Sequence, residues 1–321
     1  MALLQRPLIV LAIAVMAVAS VIAATVAPLG ASTYAVPATA DNLASRAAFA
    51  PGASAPKQTT FTSRIEAVRV DVLVTENGRP VRGLTPDDFE VLDNGVRQRV
   101  DLASFEQIPL NVVLALDMSA SLQGLRLGHL QTAGKRVLDG LMAGDRAALV
   151  AFSHVVAPSR GLTEDLDRVR AALDHARGEG LTSLIDATHA GMLLGESDAG
   201  RSLLIVFSDG IDTSSWLTAD AVLETARRGD VVVYGVEIGE RRASFPRDLS
   251  ESTGGRLFAV ESTTDLAAAF SKILEEFRMR YLVSYSPQGV TAGGWHHLEV
   301  RVKNRRGVTV KARRGYLAGQ G

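Results

Sequence analysis

Three short segments of this chain carry oxygen-bearing side chains at spacings that suit chemistry. The first is Asp117-Met118-Ser119-Ala120-Ser121, directly after the run 111–116 (NVVLAL), which is apolar from Val112 onward. The second, Gly180-Leu181-Thr182-Ser183-Leu184, is a glycine turn that opens a helical stretch. The third, Ser208-Asp209-Gly210, follows the wholly apolar run 203–207. Asp117, Ser119, Ser121, Thr182 and Asp209 together offer carboxylates and hydroxyls, with no sulfur or imidazole. Such a donor set suits Mg²⁺, Mn²⁺ or Ca²⁺ rather than zinc or copper. Two anionic side chains leave a divalent ion poorly neutralised. It then keeps water at an open position, where a carboxylate from another protein can replace it. Taken singly each segment is ordinary, because Ser or Asp after a strand commonly caps a helix. Their shared place in one fold is what gives them weight.

That fold is read from hydrophobic patterning. Strands are expected over 111–116, 147–152, 203–207, 231–236 and 257–260, and helices over 122–142, 165–177, 184–194 and 219–228. A last helix is expected over 264–277, with Leu266, Phe270, Ile273, Leu274 and Phe277 on one stripe and a capping box from Ser262 to Asp265. Strands apolar throughout, separated by amphipathic helices, indicate a mostly parallel sheet covered on both faces. This is a doubly wound, Rossmann-like α/β domain. Such sheets bind ligands beyond the carboxyl ends of their strands, which is where all three segments fall.

The flanks read differently. Val68, Val70, Val72 and Val74 alternate at period two, and Asn77-Gly78 marks a hairpin turn. Thr85 caps a short turn with Pro86 at its first position, and Asp93-Asn94-Gly95 turns the chain again. Strands return over 281–284, 297–302 and 308–310. The two β segments are expected to pair into a small β-sandwich into which the α/β domain is inserted; the contrary reading is two unrelated appendages. At the other extreme, residues 8–27 are apolar apart from Ser20 and Thr25, as in a secretory signal or a membrane anchor. Residues 28–60, rich in Ala, Pro, Ser and Thr, read as a flexible linker. The expected division is therefore 1–27 signal or anchor, 28–60 linker, 61–108 β module, 109–278 α/β domain and 279–318 C-terminal β segment. The chain is expected to be exported, to the periplasm, the cell envelope or the medium.

Composition narrows the partners. The 321 residues include 34 basic and 35 acidic side chains and no cysteine. A net charge of −1 argues against nucleic acid, whose binders carry a basic field. The lack of cysteine removes disulfides, thiolate metal sites and cysteine nucleophiles.

The set D-x-S-x-S, a distant Thr in a G-x-T-x-L turn and S-D-G after a strand resembles the von Willebrand factor type A domain with its metal-ion-dependent adhesion site. The resemblance covers roughly residues 110–277. It assigns Asp117, Ser119 and Ser121 to the first metal loop, Thr182 to the second and Asp209 to the third. The flanks, GLTPDDFEVLDNG before the domain and YLVSYSP through RRGY after it, are similar to bacterial proteins of the VWFA-related group. One departure is Leu181, where the family often has a second glycine. The resemblance implies a non-enzymatic adhesion or complex-assembly module whose Mg²⁺, Mn²⁺ or Ca²⁺ captures an acidic side chain of a protein partner.

Two rival readings stand beside it. Aspartyl phosphatases also place an Asp after a parallel strand beside Mg²⁺, but those resembling the haloacid dehalogenase group carry a second Asp two residues on, where this chain has Ser119. Alternatively the metal is structural and binding occurs through the β module. Further residues have ordinary explanations. Asp186 favours the start of its helix, Asp212 is a candidate for indirect support of the metal, and Trp216 either rims a binding face or packs. His296 and His297 point to opposite faces of a strand. Arg305-Arg306 and Arg313-Arg314 read as solvated strand ends.

Overall fold

The structure, a computed structural model, describes residues 67–318 apart from 106–107, 160, 198 and 240–243. The expected signal or anchor and the linker lie outside the described residues. Among those described, no helix is long and apolar enough to cross a membrane. The described residues belong to one compact unit.

The N-terminal flank supplies β1 (Val68–Glu76), β2 (Arg79–Pro80), β3 (Phe89–Asp93), β4 (Val96–Gln98) and β5 (Val100–Ser104). The turns are those the sequence indicates: Asn77 and Gly78 sit at φ 51° and 74°, and Asn94 and Gly95 at 47° and 81°. Asn and Gly tolerate this left-handed region.

The α/β region follows. Its elements are β6 (Leu110–Asp117), α1 (Leu125–Asp139), β7 (Arg146–Phe152), β8 (Val156–Pro158), α2 (Leu166–His175), α3 (Leu184–Gly195), β9 (Arg201–Ser208), α4 (Ala219–Arg228), β10 (Val232–Ile238), α5 (Ser244–Ser252), β11 (Leu257–Val260) and α6 (Leu266–Arg278). The strands order as β11-β10-β9-β6-β7-β8. All neighbours are parallel except β8, which runs antiparallel to β7. Every residue of β6 and β9 is buried, as the apolar runs at their centres, 112–116 and 203–207, require of strands covered on both faces. One face packs Leu130 and Val137 of α1, Leu173 of α2 and Phe270 and Phe277 of α6. The other packs Leu184 and Met192 of α3, Val222 of α4 and Leu249 of α5. The capping box expected before the last helix is present from Ser262 to Asp265.

The C-terminal flank supplies β12 (Tyr281–Tyr285), β13 (Gly294–Val302), β14 (Val308–Lys311) and β15 (Gly315–Ala318). Strands of both flanks share each sheet. One has the order β14-β1-β12-β5 with β2 beside β1, and the other β15-β13-β3-β4. Val70, Val72, Val74, Phe89, Tyr281, Val283 and Tyr285 fill the space between them. The α/β region is thus inserted in a sandwich built by both flanks.

A buried seam joins the two layers. Arg280, 1% exposed, donates from Nη2 to the Tyr234 hydroxyl at 2.8 Å and the Gly254 carbonyl at 2.6 Å. Arg201 Nε donates to Asp71 Oδ1 at 2.6 Å, and its Nη2 to the Phe277 carbonyl at 3.2 Å. Burial pushes the Tyr234 hydroxyl up to about 12, so it stays protonated and accepts from Arg280. One expectation is corrected here. Arg313 is a buried anchor rather than a solvated strand end, paired to Asp230 Oδ1 at 2.6 Å and donating to the Gly315 carbonyl at 2.8 Å. Its guanidinium fork reaches acceptors on both layers, a geometry that adjacency in sequence to an exposed Arg314 does not reveal. His296 is buried and His297 exposed, as alternation along β13 demands.

Candidate metal centre

The five oxygen-bearing residues come from three loops at the carboxyl end of the parallel sheet. Strand β6 ends on Asp117, which is fully buried. Its neighbours hold its carboxylate by both oxygens. The Ser119 backbone N–H donates to Oδ1 at 2.8 Å, and the Ser208 hydroxyl donates to Oδ2 at 2.6 Å. Ser208, the last residue of β9, therefore belongs to the site although the sequence reading passed over it. Its signal was being the first letter of the S-D-G triplet.

Two further contacts close the first loop on the third. Ser119 Oγ lies 3.0 Å from Ser121 Oγ, and Ser121 Oγ donates to Asp209 Oδ1 at 2.7 Å. Asp117, Ser119, Ser121 and Asp209 thus form one connected set. Among the described residues Thr182 makes no hydrogen bond to these four and stands beside the set. Its Oγ1 lies 3.8 Å from the point where a side chain on Gly210 would begin, and its carbonyl accepts from Thr213 N at 2.8 Å and Ser214 N at 3.1 Å.

The second loop owes its shape to Gly180. This residue sits at φ +73°, and a Cβ there would run into the His154 ring, so both conformation and space call for glycine. Ala120 N donates to its carbonyl at 3.1 Å, pinning the first loop to the second. Leu181, in place of a second glycine, is accommodated by turning its side chain outward, where it is exposed.

Electrostatics at the site favour a cation. Burial raises the Asp117 carboxyl above its ordinary value, and the nearby Asp209 charge raises it too, while the bonds from Ser208 and Ser119 oppose them. A positive charge between the two carboxylates would relieve both unfavourable effects. The spacing fits as well. In an octahedral shell with metal–oxygen distances near 2.1 Å, adjacent ligand oxygens stand about 3 Å apart. The contacts of 3.0 and 2.7 Å among Ser119, Ser121 and Asp209 are of that size. Among the described residues no group of three or more His, Asp or Glu side chains is placed to hold a metal. A cation held here would therefore depend on the hydroxyls. One basic side chain approaches the site. Arg126 Nη1 lies 3.5 Å from Asp209 Oδ2 and 3.4 Å from the Ser121 carbonyl.

Asp186 and Asp212 do other work. Asp186 accepts from Trp216 N and Leu217 N, both at 2.9 Å. Asp212 accepts from Ile185 N at 2.9 Å and from the Ser215 hydroxyl at 2.5 Å. The pair latches the loop after Asp209 onto the first turn of α3. Trp216 does not pack, being 95% exposed.

An α/β sheet of this strand order, with these three loops gathered at its carboxyl end, defines a class. Residues 111–272 match the von Willebrand factor type A domain, and the chain belongs to that family. It is similar to a UPF0353 protein of Nocardia farcinica, 24% identical over 219 residues that cover 54% of this chain and 65% of that one. It is also similar to inter-alpha-trypsin inhibitor heavy chain H2 of Sus scrofa, 24% identical over 190 residues, 54% of this chain and 20% of that one. The chain thus spans less than two thirds of either relative. Among solved structures, a von Willebrand factor type A protein from Catenulispora acidiphila superposes with a TM-score of 0.47 at 13% identity, covering 80% of this chain and 75% of that one. Mussel byssus proximal thread matrix protein 1 with a zinc-occupied MIDAS motif gives a TM-score of 0.49 at 14% identity, covering 58% and 49%.

Proposed function

We propose that this chain is an exported protein-binding module that holds a divalent cation on Asp117, Ser119, Ser121, Thr182 and Asp209 and captures an acidic side chain of a partner protein. The observation that carries this reading is the joining of Asp117, Ser119, Ser121 and Asp209 by contacts of 2.7 to 3.0 Å around only two carboxylates. Hydroxyl donors contribute no charge, so the bound ion retains positive charge and attracts an anion at its open position. The chain's own residues set the geometry. Ser208 orients Asp117, Gly180 shapes the Thr182 loop, and Ser121 ties the first loop to Asp209.

The type of cation follows from the donor set, with Mg²⁺ first and Mn²⁺ or Ca²⁺ next. The expected location, outside the cytoplasm, rests on the apolar run at 8–27. The phosphatase reading is disfavoured by Ser119, which carries a hydroxyl hydrogen-bonded to Ser121 where a general acid would be needed. Calorimetric titration of the full chain with Mg²⁺, Mn²⁺ and Ca²⁺ tests the proposal. Saturable binding of at least one ion is expected, lost in Asp209→Ala. Equal binding by the variant would remove the site.

A further inference from the structure

Among the described residues eleven large apolar side chains are exposed, and six of them stand at the carboxyl end of the parallel sheet. Leu125 follows the first metal loop and is 83% exposed, while Trp216 at 95% follows the third. Leu181 stands beside Thr182, Ile211 and Leu217 lie on the Asp209 loop, and Val155 follows β7. The remaining five are spread over the rest of the molecule. An exposed apolar group of this size is costly in water, and its concentration on one face marks a surface meant to be covered.

The collar is also held in place. Asp186 accepts from the backbone of Trp216 and of Leu217, and the Asp186 N–H itself donates to the Ser215 hydroxyl oxygen at 3.1 Å. The indole therefore projects from a backbone fixed on both sides, so docking against it orders little that was free. Aromatic side chains presented in this way are the usual anchors of protein interfaces.

We infer that this collar and the cation site form one binding surface, and that its occupant is a protein segment presenting an Asp or Glu side chain between apolar residues. The inference rests on the cation-site reading proposed above. Its physical basis is the interplay of the two parts. A carboxylate reaching a cation in open water competes with water itself. Apolar neighbours that seat on Trp216, Leu125 and Leu181 exclude that water, lower the local dielectric and strengthen the ion–carboxylate contact. A lone acidic side chain would leave the collar wet, and an apolar segment without the acid would leave the ion unmet.

A random-peptide phage library selected on the immobilised full chain in Mg²⁺, with elution by EDTA, is the test. Enriched peptides are expected to carry Asp or Glu with aromatic or aliphatic neighbours. Trp216→Ala should weaken the corresponding synthetic peptides at least about tenfold while leaving Mg²⁺ affinity unchanged. Trp295, an exposed tryptophan on β13, serves as control, and Trp295→Ala should have no effect. Enrichment of acidic peptides lacking apolar neighbours, or equal binding by Trp216→Ala, would overturn the collar while leaving the cation site standing. Peptides that survive EDTA and Asp209→Ala would instead overturn the cation reading on which the inference rests.

Discussion

The seam and the rim use the same residue types in opposite ways. At the seam, Arg280 and Arg201 are 1% and 4% exposed, and their donors meet the Tyr234 hydroxyl, the Asp71 carboxylate and the carbonyls of Gly254 and Phe277. Donors and acceptors close on one another there, which is what a structural joint requires. At the rim, two carboxylates converge with hydroxyls, and the nearest guanidinium, that of Arg126, is more than half exposed at 3.5 Å from Asp209. Negative charge is gathered there without buried compensation, and the proposed cation would supply it.

The largest effect that tests this contrast is expected from Asp117→Ala. Removing the carboxylate that Ser208 and Ser119 orient should lower Mg²⁺ affinity by about a hundredfold or more, as loss of a direct anionic ligand does. Metal-free thermal stability should change only modestly, because relief of a carboxylate disfavoured by burial and by the Asp209 charge offsets the loss of an acceptor for the Ser119 N–H and the Ser208 hydroxyl. Calorimetric titration and a melting curve in EDTA read the two. A variant that binds Mg²⁺ normally but melts lower would make the rim a second structural joint and erase the contrast.

Arg280→Met gives the mirror result. It removes a buried charge and leaves the Tyr234 hydroxyl and the Gly254 carbonyl without that donor. A loss of about 3 kcal/mol in unfolding free energy is expected from such a change, with Mg²⁺ affinity altered less than about twofold, since distant sites act independently. Denaturant unfolding alongside cation titration checks both. A large change in affinity would show the seam to be part of the binding device.

The two regions also differed in how far the sequence disclosed them. The candidate residues at the rim were legible because four of them, Asp117, Ser119, Ser121 and Asp209, follow two mostly apolar strands, 111–116 and 203–207, at the end of the sheet where such folds place ligands. Even so, the hold of Ser208 on Asp117 was not legible, because Ser208 reads only as the first letter of S-D-G and its partner lies 91 residues away. The latch of Asp186 and Asp212 was missed because its partners lie about 30 residues away and meet only in space. The pairing of the flanks was readable because β-patterned segments stand on both sides of the α/β region and neither is large enough to bury a core alone. The seam was not, since Arg280 and Arg313 are charged residues whose burial depends on acceptors from distant strands. Among secondary elements, α5 was unread because its nine residues include Pro246. Strand β8 escaped because it has three residues, too few for periodicity to register.

The smallest effect expected is at Arg126, and it sharpens the contrast most finely. Among the described residues its guanidinium is the basic group that pairs with the rim, at 3.5 Å from Asp209 Oδ2, and it competes for the charge that a cation would use. Its exposure limits the strength of that competition, for such surface pairs contribute roughly 0 to 1 kcal/mol. Arg126→Ala should therefore tighten Mg²⁺ binding by up to about fivefold. The gain should shrink as NaCl is raised, because screening already weakens the pair in the parent protein. Titration at low and high salt reads this directly. Weaker Mg²⁺ binding by the variant would show that Arg126 organises Asp209 for the ion rather than opposing it, and the rim would then carry its own internal pairing, as the seam does.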